Sequence, residues 1–183
     1  MPIPSMNELS ELAEQVARRL TGRGETVAVA EGSAGGLVSA ALLSVPGASA
    51  YYRGGVVVYT GAAHRAWIAS AVEVPADLRG ATEAFATHCA HGAVTALAAT
   101  WGLGEAGAAG PPNRYGDPAG HTWCAVVGPT TRARRLLTGS DHRVENMVAF
   151  AAGTLELFLD VLDDAPGLTA DDRSVLDTAR SRA

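Results

Sequence analysis

The chain has 183 residues, 48% hydrophobic and 18% charged, the profile of one soluble globular domain whose core needs no disulfide or metal. Its 14 basic residues against 19 acidic ones give a net charge of −5, the opposite of a nucleic-acid binder's balance. All 14 basic residues are arginine, so Schiff-base chemistry, a serine–lysine dyad and a P-loop lysine are excluded within the chain.

Asn7 or Ser10 is placed to cap a first helix, in which Leu9, Leu12, Ala13, Val16, Ala17 and Leu20 recur at helical spacing. Thr21-Gly22-Arg23-Gly24 ends it, and Glu25 to Ala30 reads as a short strand. The Gly-rich turn at 31–36 leads into a second helix through Leu43, stopped at Val45-Pro46-Gly47. Arg53 to Tyr59 reads as a buried strand, and Ala62 to Ala69 as helical. Thr82 caps a longer helix expected to reach Trp101, with Phe85, Cys89, Ala93, Ala96 and Leu97 on one face. Gly102 to Gly120 is the least regular stretch. His121 to Val127 and Arg134 to Leu137 pair as strands about Gly128-Pro129. Ser140 or Asp141 caps a last helix with a buried stripe at Val144, Met147, Val148, Ala151, Leu155, Phe158 and Leu159.

This alternation predicts an α/β layered domain, helices packed on a central sheet, over residues 1–164, with a polar tail or short helix over 165–183. Cys89 and Cys124 form no CxxC pair and read as buried small hydrophobes in a reducing compartment. No basic-then-apolar leader and no long apolar run is visible, so a cytoplasmic protein without a membrane span is expected.

The turn Glu31-Gly32-Ser33-Ala34-Gly35-Gly36 is the strongest local signal. Backbone N–H groups at a strand–turn–helix junction favour an anion or a developing oxyanion. Gly32, Gly35 and Gly36 let a ligand approach the backbone. Ser33 reads either as a helix cap or as a nucleophile; G-x-S-x-G is only half met, because Glu31 stands where its first glycine belongs.

The stretch Thr26 to Gly36 (TVAVAEGSAGG) resembles the TVATAESCTGG signature of the CinA C-terminal domain family, the nicotinamide-nucleotide amidohydrolases. Val45 to Tyr59, Gly107 to Pro111 and Pro118 to Gly120 are similar to further family motifs in the family's order. The resemblance runs from about residue 8 to 162. It implies the CinA C-terminal fold, a homodimer, and hydrolysis of the carboxamide of nicotinamide mononucleotide to nicotinate mononucleotide and ammonia. It also implies a serine nucleophile assisted by a lysine and a tyrosine, with no metal or other cofactor.

The chain departs from that pattern at the chemistry. The family's nucleophile position is Gly32, its lysine position is His64, and its tyrosine is kept as Tyr59. Arg143 stands two positions beyond the arginine of a family "GDR" motif. Little turnover by the family mechanism is expected. A hydroxyl beside an imidazole makes Ser33 and His64 one nucleophile–base option, and Tyr59 with His64 an acid–base option without covalent catalysis.

The expected function is therefore a diverged, metal-independent enzyme on a small, polar, amide-bearing or nucleotide-like molecule, with Ser33, Tyr59 and His64 as catalytic candidates. The alternatives are a non-catalytic nucleotide- or partner-binding protein, and nicotinamide mononucleotide deamidation retained through Ser33 and His64. Glu31, Gly32, Gly35, Gly36, Arg114 and His121 are the substrate-binding candidates, each with a plain structural alternative as turn, strand-end or surface residue. His88 and His91 lie at i, i+3, but no third metal ligand is placed by the sequence.

Overall fold

The structure, a computed structural model, describes residues 4–168; the tail helix expected over 170–180 lies outside them. Helix α1 spans Met6–Arg23 and begins one turn earlier than the sequence suggested. Ser5, not Asn7 or Ser10, is its cap: the Ser5 hydroxyl accepts from the Glu8 N–H while the Glu8 carboxylate accepts from the Ser5 N–H. Gly24 closes the helix at φ 64°, a conformation cheap only for glycine.

Strand β1 (Val27–Glu31) is buried throughout. Val27 and Val29 join the core beneath α1, α2 (Leu37–Ser44) and α5 (Arg143–Asp164), while Ala28 and Ala30 join the opposite core. Burial on both faces is what a parallel strand covered by helices requires. A short 3₁₀ turn (Ala48–Ala50) leads to β2 (Tyr52–Val57). The sequence predicted a buried strand here, but β2 alternates half-buried with exposed residues because it is an edge, paired only to β1. Thr60 caps α3 (Gly61–Trp67) and Thr82 caps α4 (Glu83–Leu97).

Helix α4 stops at Leu97, where Ala98 turns left-handed, and Trp101 opens strand β3 (Trp101–Ala108) instead of ending a helix. The stretch expected to be irregular supplies the middle strand of the sheet. Its glycines explain both the misreading and the packing. A Cβ on Gly104 would overlap the Ala86 carbonyl oxygen, and one on Gly102 that of Ala90, so α4 lies directly against the strand's backbone. Trp101 and Leu103 point into the other core, where Trp101 meets Phe158 edge-on with ring centres 5.8 Å apart.

Strands β4 (His121–Val127) and β5 (Thr131–Leu137) form the expected antiparallel pair. Helix α5 starts after His142, which makes no side-chain cap, and neither Ser140 nor Asp141 caps it. Its stripe is buried from Phe150 onward, but Val144 is 72% exposed. Ala96 on α4 is likewise exposed. The five-stranded sheet has the order β2-β1-β3-β4-β5, with β1, β2 and β3 parallel. Helices α1, α2 and α5 cover one face, and α3 and α4 the other. Cys89 and Cys124 are unpaired and buried, and burial pushes each thiol up to about 12. No helix among the described residues is long and apolar enough to cross a membrane.

Candidate functional site

The chain leaves β1 toward β2 on one side and returns to β3 on the other, so β1 and β3 flank a topological switch point. In open α/β sheets the crevice beyond the strand ends at such a point is where ligands bind. A cavity of about 950 Å³ lies there, at the upper end of the usual range for small-molecule sites. Gly32 and Ser33 of the turn after β1, with Ala106 and Gly107 of β3, line it. Tyr59, His64 and Phe85 form another part of its wall. Arg65, Arg114, Tyr115, Thr60 and Asn113 add to the polar lining, and the arginines give the cavity wall its positive charge.

The turn is shaped by two buried carboxylates. Glu31 ends β1 and is wholly buried. It accepts from the N–H groups of Gly36 (2.9 Å), Val38 (3.0 Å) and Ser39 (2.9 Å) and from the Ser39 hydroxyl (2.6 Å). It therefore caps α2, whose own N-cap residue, Gly36, has no side chain to do so. Gly35 and Gly36 hold positive φ against Met147 and Val57, and neither they nor Glu31 lines the cavity.

Glu105 on β3 holds the turn itself. Its Oε2 accepts from the N–H groups of Gly32 (3.1 Å) and Ala34 (2.7 Å). Its Oε1 accepts from the hydroxyls of Ser33 and, at 2.5 Å, Thr122. Glu105 is 1% exposed and forms no ion pair among the described residues. Burial pushes its carboxyl above the usual range, and the donors from Ser33, Thr122 and Ala34 oppose that rise. The turn's backbone donors that sequence logic offered to a substrate anion are thus largely committed to an internal one. Sequence reasoning missed Glu105 because its stretch read as loop.

His64 sits on α3 with its imidazole only 8% exposed and its Nε2 buried without a hydrogen-bond partner. It packs on Phe85 and on His88 of α4, with ring centres 5.2 Å apart in both contacts. The His88 Nε2 is buried and unpartnered as well. Burial holds His64 below its ordinary range, and the Arg65 charge adds to the effect; for His88, burial acts first and the charges of His64 and His91 add. Burial thus disfavours the charged form of this imidazole on the cavity wall.

Tyr59 is 64% exposed, and its hydroxyl accepts from Arg143 at 3.1 Å. Arg143 also donates to the Gly110 carbonyl, which ties the start of α5 to the cavity rim. No hydrogen bond joins His64 to Tyr59 or to Ser33 among the described residues. The three catalytic candidates share the cavity, but the partner of Ser33 is Glu105 and the partner of Tyr59 is Arg143. Arg114 stacks on Tyr115, and Asp117 pairs with Arg79 at 2.7 Å behind them. His121 opens β4 at 2% exposure with its Nδ1 unpartnered; it is neither on the surface nor among the cavity-lining residues. Among the described residues, no group of three or more His, Cys, Asp and Glu is arranged to hold a metal ion.

The layered fold and the crevice at its switch point define an α/β domain with a cavity beyond the ends of β1 and β3. Residues 9–162 match the model of the CinA C-terminal domain, and the chain belongs to that family. A CinA-like protein of Anaeromyxobacter sp. (strain Fw109-5) is 42% identical over 149 residues, which cover 78% of this chain and 35% of that protein. A CinA-like protein of Myxococcus xanthus is 37% identical over 159 residues, covering 84% of this chain and 37% of that protein. The chain thus spans about a third of the length of these relatives. Among solved structures, the competence damage-inducible protein A of Klebsiella pneumoniae superposes with a TM-score of 0.79 at 26% identity, covering 86% of this chain and 99% of that one. The competence/damage inducible protein CihA of Agrobacterium tumefaciens gives 0.77 at 26% identity, over 90% and 99%.

Proposed function

We propose that this chain is a small-molecule enzyme of the CinA C-terminal family, diverged at its catalytic positions. In this reading His64 acts as general base and Tyr59 as general acid, without a metal, on an amide-bearing or nucleotide-like substrate. The observation that carries it is the His64 imidazole: it lines the cavity, and burial favours its neutral form. A neutral imidazole is the form that takes a proton from substrate or water. The Arg143 guanidinium donates to the Tyr59 oxygen, which fixes the phenol at the cavity and leaves its O–H free to donate to a substrate. Arg65 and Arg114 on the wall suit an anionic group such as a nucleotide phosphate.

The test is ammonia release from nicotinamide mononucleotide and from a panel of nucleotide-like and simple amides. We expect His64→Ala and Tyr59→Phe to abolish turnover while the melting temperature stays within a few degrees of the parent. Full activity in both variants would end this assignment. Absence of turnover across the panel at high enzyme concentration would favour the non-catalytic binding reading.

A further inference from the structure

Residues 111–119 lie between β3 and β4, and three of them, Asn113, Arg114 and Tyr115, line the cavity. The tip of this loop is braced from within. Asn113 Oδ1 accepts from the N–H groups of Tyr115 (2.9 Å) and Asp117 (3.1 Å), and its Nδ2 donates to Asp117 Oδ2 at 2.8 Å. The Asn113 N–H donates to the Asp117 carbonyl, and the Asn113 carbonyl accepts from the Gly116 N–H.

The loop is tied to the rest of the chain at one residue. Among the described residues, its only hydrogen bonds to partners outside 111–119 come from Arg79: Nη1 to Asp117 Oδ2 at 2.7 Å and Nη2 to Oδ1 at 3.2 Å. The same guanidinium lies 4.9 Å from the centre of the Tyr115 ring. The Arg79 carbonyl accepts from the hydroxyl of Thr82, the cap of α4, so the tie is anchored to a helix. Leu78, Gly80 and Ala81 beside Arg79 line the cavity, whereas Arg79 and Asp117 do not. Two irregular segments of the cavity wall are therefore joined by one ion pair set behind them.

We propose that residues 111–119 form a flap over the cavity, that the Arg79–Asp117 pair is its latch, and that release of the pair opens the cavity. The inference concerns entry and holds whichever reaction the cavity performs. Two parallel bonds between guanidinium and carboxylate favour the closed position. Both partners are partly exposed, so the pair is weak enough to break thermally. Hydrogen bonds from Arg79 hold the Asp117 carboxyl below its usual range, which keeps the pair charged at neutral pH. The internal bonds of the tip do not involve Arg79, so the flap swings as a body when the latch opens.

The test uses the intact chain without ligand. Trypsin cuts this lysine-free chain after arginine alone, and Arg114 is the one arginine of the flap. Cutting of a loop in folded protein follows the population of its open form when opening and closing are fast. We expect Asp117→Asn to speed the cut between Arg114 and Tyr115 about fivefold, Arg79→Gln to do the same, and the double variant to add nothing further. Melting temperatures should stay within a few degrees of the parent. Diethyl pyrocarbonate, which modifies neutral imidazoles, reads the cavity itself. Modification of His64, mapped by peptide mass spectrometry, should rise in step with cutting, while the exposed His142 keeps the parent rate. Parent-rate cutting in both single variants, or effects that multiply in the double variant, would overturn the latch. Faster cutting with an unchanged rate at His64 would overturn the flap. Should the variants fail to fold, the parent decides: added salt should speed the cut at Arg114 relative to a short peptide in the same tube, and an unmoved rate would overturn the latch.

Discussion

Glu31 and Glu105 stand opposite each other as Cα partners on β1 and β3, both buried and both without an ion pair among the described residues. They differ in what they bind. Every hydrogen bond of the Glu31 carboxylate goes to residues five to eight positions ahead, at the start of α2. Glu105 reaches a turn 71 to 73 positions back and a threonine 17 positions on. One is a local helix cap; the other is a tertiary clamp that fixes where Ser33 stands. A carboxylate can thus hold a helix without touching chemistry, while its neighbour across the sheet sets the position of a cavity-lining hydroxyl.

Removing each in turn tests that contrast. Glu105→Ala should be the costliest change, because the Ala34 N–H and two hydroxyls lose a buried acceptor at once, while the Gly32 N–H keeps only the Glu105 main-chain carbonyl. We expect a loss of roughly 4 kcal/mol in urea unfolding. Glu31→Ala strips the cap from α2 and should cost about 2 kcal/mol, with a melt that stays cooperative. A larger loss for Glu31 than for Glu105 would reverse the assignment of clamp and cap. Thr122→Val removes a single donor from Glu105 and should cost about 1.5 kcal/mol.

The smallest expected effect is on pH dependence. Burial, aided by Arg65 for His64 and by His64 and His91 for His88, holds both imidazoles below their ordinary range. Below a pH of about 6.5 the unfolded chain therefore binds protons that the folded one resists. Stability present above that pH is lost as pH falls toward the folded values. Glu105, pushed up by burial, has the opposite sign: its contribution is present at low pH and lost as pH rises through its raised value. Melting temperature against pH should fall on the acid side below about 6.5, and the double variant His64→Phe, His88→Leu should flatten that fall. An unchanged slope in the double variant would mean these rings are not held neutral.

The same local-versus-distant divide decided what could be read from the sequence. Helical periodicity made α1, α4 and α5 visible, and the Gly128-Pro129 turn marked the β4–β5 pair. Ser33, Tyr59 and His64 were legible as residues that share one cavity. Strand β3 was not legible, because Gly102, Gly104 and Gly107 carry no strand preference; they are small because α4 and β4 press on their backbones. With β3 hidden, Glu105 read as loop and the partner of Ser33 was invisible. The Arg143–Tyr59 contact joins residues 84 positions apart, and no local pattern announces it.

The central claim is that Glu105 holds Ser33. A double-mutant cycle with Ser33→Ala and Glu105→Gln, read by urea unfolding, tests it most directly. We expect the two losses to fall short of additive by about 1.5 kcal/mol or more, as for a hydrogen bond to a charged acceptor. Additivity within about 0.3 kcal/mol would contradict the claim.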